Sequence, residues 1–360
     1  MTEENVLKKS SGQSVEQNVD TSYDNRITWV DFVKTFACVL VVLGHFLQSM
    51  VKSGILNDSV CYEVFNTVIY YFHNPLLFIC SGFLYQMRYK EDKDVKECIN
   101  YKVNRVYNLI IPYLFFVTVT WIEKKIMANY INASVEGYLD TIITASIAPY
   151  WFLAALMLMY VLVPQIRKNH TVYFIIYIIA AIFVNTALKN YIIWFPLIKF
   201  VEYVSFFIVG MMLKNIKNIR GKQLRNIGLF FIALFCIGFV GIYYNGIVLS
   251  STGFIFLALT GSIGIVILAI SYFQKGIRRT KWWETLSEYT FPVFMMHTLA
   301  AAPIRIVLNF FHISQAWVHI LFGLGASFFM PVIVYIIMKK MEWPLFVLYP
   351  SKVVKEGRKN

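Results

Sequence analysis

Residues 26–50 read RITWVDFVKTFACVLVVLGHFLQSM. From Thr28 onward the stretch is long and apolar enough to cross a bilayer, whose hydrocarbon core of about 30 Å takes roughly 20 apolar residues as helix. Two ionisable side chains interrupt it, Lys34 and His45. Each costs at least about 2.5 kcal/mol near mid-bilayer unless it is paired or hydrated. At about 100° and 1.5 Å per residue the two share one helix face and stand roughly 16 Å apart along it. Asp31, Cys38 and Val42 continue that face. A span with a cation toward one side of the membrane and an imidazole deep toward the other is the feature that needs explaining.

The apolar character extends over the whole chain. Of 360 residues, 58% are hydrophobic and only 15% charged, against about 25% charged in a soluble domain. Apolar runs of spanning size occur near 28–50, 61–86, 106–122, 151–166, 171–188, 195–213, 227–244, 252–273, 290–309 and 316–338. They predict an all-α, polytopic membrane helix bundle of about ten transmembrane helices, with the acyl chains of the lipid bilayer as its main solvent. The stretch 138–149 is shorter and reads as a re-entrant or interfacial piece. The net charge of +13 does not indicate nucleic acid, because the basic residues sit in short gaps between apolar runs. Outside-facing gaps hold only Lys52, Lys124, Lys125, Lys189 and Lys199. Apart from Lys34 and Arg305, the remaining Lys and Arg fall on the opposite side. Cytoplasmic loops carry that excess, so both termini are expected in the cytosol. Residues 1–25 lack an apolar signal core and are expected as a disordered cytosolic tail, 26–345 as the membrane domain and 346–360 as a basic cytosolic tail. Five scattered cysteines without CxxC or Cys/His spacing indicate no metal site and no disulfide framework.

Ionisable residues inside the spans are Lys34, His45, His73, Glu202, His297 and Arg305. Counting from the ends of the runs places His73, Glu202 and Arg305 about 18–22 Å from the cytosolic face, with His45 a little further. Four polar groups at one depth on four helices suggest a hydrated central cavity. Each also has a bland reading. His73 precedes Pro75 and would satisfy backbone freed there. Glu202 and Arg305 would form an ion pair holding two helices together. His297 counts as nearer the cytosol, structural or at a donor entrance.

Six segments, in order, resemble the membrane acyltransferase-3 family. The first is Arg26 through Lys34, continuing over Val41-Val42-Leu43-Gly44-His45, which looks like the family's basic residue, ten intervening residues and histidine on the first helix. Lysine at position 34, where many members have arginine, is similar to the branch of fucose 4-O-acetylases. Phe72-His73-Asn74-Pro75 through Ser81-Gly82-Phe83-Leu84 resembles that branch's second helix. Arg105 through Pro112-Tyr113, Trp151-Phe152-Leu153 followed by Pro164, Phe206-Phe207-Ile208-Val209-Gly210-Met211, and Ser287 through His297 resemble its later segments. The likeness covers about 26–338. It implies an acyl-CoA donor entering from the cytosol and an acceptor modified at the outer side. It also implies His45 as the catalytic histidine, Lys34 as the donor contact and Arg105 as a further cation on the coenzyme A side.

The combined expectation is a bacterial plasma-membrane O-acyltransferase that moves an acyl group, acetyl from acetyl-CoA, to a hydroxyl of a sugar or envelope glycan, without a metal. Expected catalytic residues are His45, His73, Arg305 and Glu202. Expected donor-binding residues are Lys34, Arg105, Lys102 and His297. His45 would take the hydroxyl proton or carry the acyl group itself, and His73 or Arg305 would orient the base or stabilise the oxyanion. The rival expectation is a glycan or small-anion transporter or flippase without acyl chemistry; the absence of a visible internal repeat counts mildly against it.

Overall fold

The computed structural model describes residues 27–88, 94–128, 136–144, 147–166, 171–215, 221–273, 281–351 and 353. The tail expected over 1–25 lies outside them. Among the described residues there are helices and turns and no strand. The helices are α1 (Thr28–Lys52), α2 (Val60–Met87), α3 (Val95–Ile126), α4 (Tyr138–Thr144), α5 (Trp151–Leu162), α6 (Thr171–Leu188), α7 (Phe195–Met212), α8 (Gly221–Tyr244), α9 (Ser251–Phe273) and α10 (Lys281–Phe310). The last, α11 (Ala316–Met341), contains a π-helical turn over Ile320–Leu324. Nine of these helices, among the described residues, are long and apolar enough to cross a membrane. The chain is a multi-pass membrane helix bundle.

Helix starts follow local chemistry. Ser59 accepts a hydrogen bond from the Tyr62 amide at the head of α2, and Asp94 accepts one from Val95 at the head of α3, each satisfying an orphan donor of the first turn. Pro196 sits in the first turn of α7, where its missing N–H is harmless. Helix α10 begins at Lys281, well before the apolar run at 290 that marks it in the sequence. That early start changes the depth of everything on it.

The tenth expected span, 151–166, is helical only over the twelve residues of α5, about 18 Å at 1.5 Å per residue. Pro164 explains the stop, because it disfavours helix at the residue before it, and Val163 is extended. The carbonyls left open at that end are taken up by neighbours. Lys102 donates to the Val161 and Val163 carbonyls, Tyr85 to the Val163 carbonyl, and Gln86 to the Ile166 carbonyl while accepting from the Ile166 amide. Non-helical backbone at membrane depth is tolerated where protein satisfies it in this way.

Helix α2 is the enclosed centre: every residue from Tyr71 to Phe83 is buried. It crosses α7 at a pair of glycines. A Cβ on Gly82 would meet the backbone of Phe207, and one on Gly210 the backbone of Ile79, so the helices approach as closely as small residues permit. Pro75 removes a hydrogen bond to the carbonyl four residues earlier, that of Tyr71. The Ser262 hydroxyl of α9 supplies it at 3.4 Å. The outer helices α6 and α8 expose Ile176, Ile179, Phe183, Phe230 and Ile237, surface that lipid covers. At the C-terminal end, Leu345, Val347 and Leu348 are buried, the Tyr349 ring lies against Phe291 and Tyr335, and the Ser351 amide donates to Asn108. The first part of the basic tail expected from 346 is therefore docked on the bundle as far as Ser351, because its apolar residues have the bundle to pack on. Residues 354–360 lie outside the described residues.

Gly82→Ala and Gly210→Ala each force backbone apart at the α2–α7 crossing. Each is expected to destabilise the protein by about 1–3 kcal/mol, the usual range for overpacking, and thermal unfolding in detergent measures it.

Candidate active site

Three links set α1 and α10 side by side and parallel. Near one end the Thr35 and Thr290 hydroxyls are 2.9 Å apart, and the Cys38 thiol points to the Thr290 carbonyl at 3.4 Å. Near the other end Arg305 donates to the Ser49 carbonyl at 3.1 Å and to the Ser49 hydroxyl. Between them the rings of His45 and His297 face one another with centroids 5.5 Å apart. His297 therefore stands at the depth of His45 and not at the cytosolic edge. The sequence count placed it too shallow because the first turns of α10 are polar and do not show in the apolar run.

The Thr35 end holds a cavity of about 540 Å³. Lys34 of α1 and Arg105 of α3 both line it, together with Asp31, Tyr160, Glu288 and Thr290. Lys34 is only partly buried, and the cavity is what it opens to. Two cations that the sequence separates by some seventy positions thus reach one space. Arg105 is held by its own helix: its Nε donates to the Tyr101 hydroxyl at 3.1 Å, and its guanidinium lies over the Tyr101 ring. Glu288 accepts from Tyr335 at 2.8 Å and from Lys339 at 2.9 Å. Lys102 does not join this group. It binds the end of α5 as described above and faces a different surface, with Ile99, Val103 and Val161.

The cavity ends at Cys38, Leu77, Phe152 and Phe294. Phe152 and Phe294 meet edge to face at 5.5 Å, and the Phe294 ring is 6.5 Å from that of His297. One aromatic layer therefore separates the cationic cavity from the histidines. His73 of α2 lies near enough to His45 for the two to interact electrostatically. Its Nδ1 lies 2.7 Å from the Ile69 carbonyl, so it does not serve the carbonyl freed by Pro75, which Ser262 serves. A carbonyl accepts only, which fixes a proton on Nδ1 of His73 and equally on Nδ1 of His297, 2.9 Å from the Phe294 carbonyl and 3.2 Å from that of Val293. Nε2 of His297 is buried without a partner among the described residues. His45 differs from both. It is partly accessible, and among the described residues neither of its ring nitrogens has a hydrogen-bond partner.

Glu202 and Arg305 do not pair. Glu202 is 2.6 Å from Lys189 and 2.7 Å from Lys199, while Arg305 is committed to Ser49. Lys199 also lies over the Trp151 ring. The four-group cavity expected from the sequence, of His45, His73, Glu202 and Arg305, is thus replaced by a three-histidine cluster of His45, His73 and His297. Glu202 sits in a separate lysine cluster at the head of α7. Sequence reading also missed Tyr150, fully buried in the turn before α5, whose hydroxyl lies 2.9 Å from that of Thr120 on α3 and donates to the Met295 carbonyl on α10 at 3.0 Å. Pro149 and Trp151 around it mark a turn but give no sign of that bridge.

The arrangement defines a class: a multi-pass membrane protein whose first helix connects a cationic cavity at one end to a histidine cluster deeper in the bundle. The chain belongs to the acyltransferase-3 family, whose model, described as an acyltransferase domain, matches residues 27–336. It is similar to nodulation protein NolL of Mesorhizobium japonicum, 29% identical over 143 residues, and to nodulation protein NolL of Sinorhizobium fredii, 30% identical over 142 residues. Each alignment covers 39% of this chain and 36% of the relative, so the match spans little more than a third of the length of either. No solved structure matches the chain.

The separation of Glu202 from Arg305 is open to a double-mutant cycle. Glu202→Gln and Arg305→Ala should add to within about 0.5 kcal/mol, whereas Glu202→Gln and Lys189→Ala should show a coupling above about 0.5 kcal/mol, both read from unfolding in detergent.

Proposed function

We propose that the chain is a membrane O-acyltransferase that takes an acyl group from acyl-CoA at the Lys34 end and passes it to a hydroxyl of a sugar or envelope glycan at the His45 end. The observation that carries this reading is the convergence of Lys34 and Arg105 on one cavity, with one aromatic layer, Phe152 and Phe294, between it and the histidine cluster. Guanidinium and ammonium groups suit the phosphates of coenzyme A, the first by bidentate bonds and the second as a point charge. The α1 face that leads from Lys34 past Cys38 to His45 runs about 16 Å, a length suited to an extended pantetheine arm. The Phe152–Phe294 layer stands between cavity and histidines, and a short acyl group such as acetyl would pass it most readily. The distribution of Lys and Arg supports both termini in the cytosol and the donor cavity facing it. The bacterial relatives support the plasma membrane of a bacterium as its location.

In this reaction neutral His45, its nitrogens unengaged, takes the proton of the acceptor hydroxyl. The oxygen attacks the acyl carbonyl, a C–O bond forms, and the C–S bond breaks. The sulfur leaves as thiolate and takes up the proton. His73 and His297, each fixed through Nδ1, hold the walls around His45 and present Nε2 as acceptor. Arg305 and Glu202 act as positioning residues: Arg305 locks α1 to α10 one turn beyond His45, and Glu202 gathers the lysines near the head of α7. Lys102 serves the end of α5. The likeness of Lys34 and the Phe72–Leu84 segment to the fucose 4-O-acetylase branch favours a sugar acceptor.

Labelled acetyl-CoA supplied to membranes tests the reading. His45→Ala should lower acyl transfer by roughly 10²–10⁴-fold, the share general-base catalysis supplies, at unchanged protein level. Lys34→Ala and Arg105→Ala should each raise KM for acetyl-CoA about tenfold, one lost charge-assisted contact, while Lys102→Ala leaves KM unchanged. Full turnover by the His45 variant, or substrate flux in proteoliposomes with no coenzyme A released, would overturn it in favour of a transporter. Phe294→Ala, by thinning the aromatic layer, should let longer acyl-CoA donors compete with acetyl-CoA.

A further inference from the structure

A second and larger hollow, of about 820 Å³, lies on the outside of the bundle between α1, α8 and α9. It shares no lining residue with the cationic cavity. Its walls are apolar, with Phe32 and Phe36 from α1 and Leu268 and Phe273 from α9. The Phe32 and Phe36 rings stack at 6.5 Å, and Phe32 meets Phe273 at 5.6 Å, so the wall is continuous across two helices. The Ser271 hydroxyl donates to the Gly221 carbonyl at 2.6 Å, which pins the start of α8 to the end of α9 and closes the groove there. At that same end stand Lys222 and Arg225, both exposed. No acidic residue is among the described residues that line it.

Any groove on this surface is filled by acyl chains in a bilayer, so the headgroup is what distinguishes one occupant from another. Two cations one helical turn apart, at the end of an apolar groove and with no carboxylate in its lining, complement a phosphate whose chains continue into hydrocarbon. Basic pockets between transmembrane helices bind anionic headgroups by this combination. The volume also falls within the range that holds small ligands. We propose that the groove binds an anionic phospholipid, its phosphate held between Lys222 and Arg225 and an acyl chain laid along Phe32, Phe36, Leu268 and Phe273. The site is independent of the acyl-transfer reading and would stand without it.

Native mass spectrometry of the full chain, titrated with phosphatidylglycerol or phosphatidylcholine, tests this. Wild-type protein should retain phosphatidylglycerol roughly thirtyfold better than phosphatidylcholine, two cations near the headgroup contributing about 1 kcal/mol each. Lys222→Ala with Arg225→Ala should abolish the preference, and Lys339→Ala with Lys340→Ala, cations elsewhere on the bundle, should keep it. Ile265→Trp, which fills the groove and leaves both cations, should lower retention of phosphatidylglycerol. The single variants Lys222→Gln and Arg225→Gln give intermediate shifts and serve if the double variant does not fold. Equal retention of the two lipids by wild type, an unchanged preference in the variants, or a polyprenyl phosphate carried through purification in place of phospholipid would each overturn the proposal.

Discussion

A charged side chain inside hydrocarbon has to have company, whether an opposite charge, a carbonyl or water. Lys34 and Arg105 are like charges brought to one cavity from α1 and α3, and a bundle selected for stability alone would keep them apart. Of the two acids on the cavity wall, Asp31 lies near enough to Lys34 to interact with it electrostatically, while Glu288 binds Tyr335 and Lys339. What makes the pair tolerable is the cavity itself, which admits water and, in the proposed reaction, phosphate. The surrounding architecture keeps that cavity open. Arg105 is braced by Tyr101, Tyr349 seals the rim from the C-terminal turn, and Phe152 and Phe294 close the far end.

Maintaining a hollow next to two cations requires rigid walls, and α2 supplies them. Its buried centre is clamped to α7 through Gly82 and Gly210 and to α9 through Ser262, which answers the carbonyl that Pro75 frees. Interiors packed to crystal-like density transmit strain instead of absorbing it. Helix α1, lying between α2 and α10, is therefore held in register by small polar links at both ends of the face that carries Lys34 and His45. The same links that fix α1 also fix how far the cationic cavity lies from the histidines.

Much of this was legible in the sequence because the physics is local. Helical periodicity alone put Lys34, Cys38 and His45 on one face. What escaped was non-local. The depth of His297 was misjudged because α10 starts in polar sequence, where an apolar run cannot reveal it. The partner of Glu202 was misjudged because Lys189 comes from the turn after α6, and counting depth says nothing about azimuth. The length of α5 was overestimated because the apolar run continues through Pro164, while the helix stops at Leu162. Lys102 and Arg105, three residues apart on α3, read alike as sequence, yet one reaches the cavity and the other caps α5.

The three histidines show how one residue type is given different properties by backbone alone. His73 and His297 each lean an Nδ1 on carbonyls of their own helix, which fixes the tautomer and the ring plane at little entropic cost, because helix and ring are already ordered. His45 has no such anchor and stays partly accessible beside them. All three could take a proton on Nε2 without breaking a structural bond; what sets His45 apart is access, since it is partly accessible while His73 and His297 are buried. Its neighbours, unable to turn, keep the space in front of it from collapsing, and the aromatic layer beneath separates that space from the water of the cavity. In the proposed chemistry the separation matters as much as the histidine, since water admitted beside His45 would compete with the acceptor hydroxyl for the acyl carbonyl.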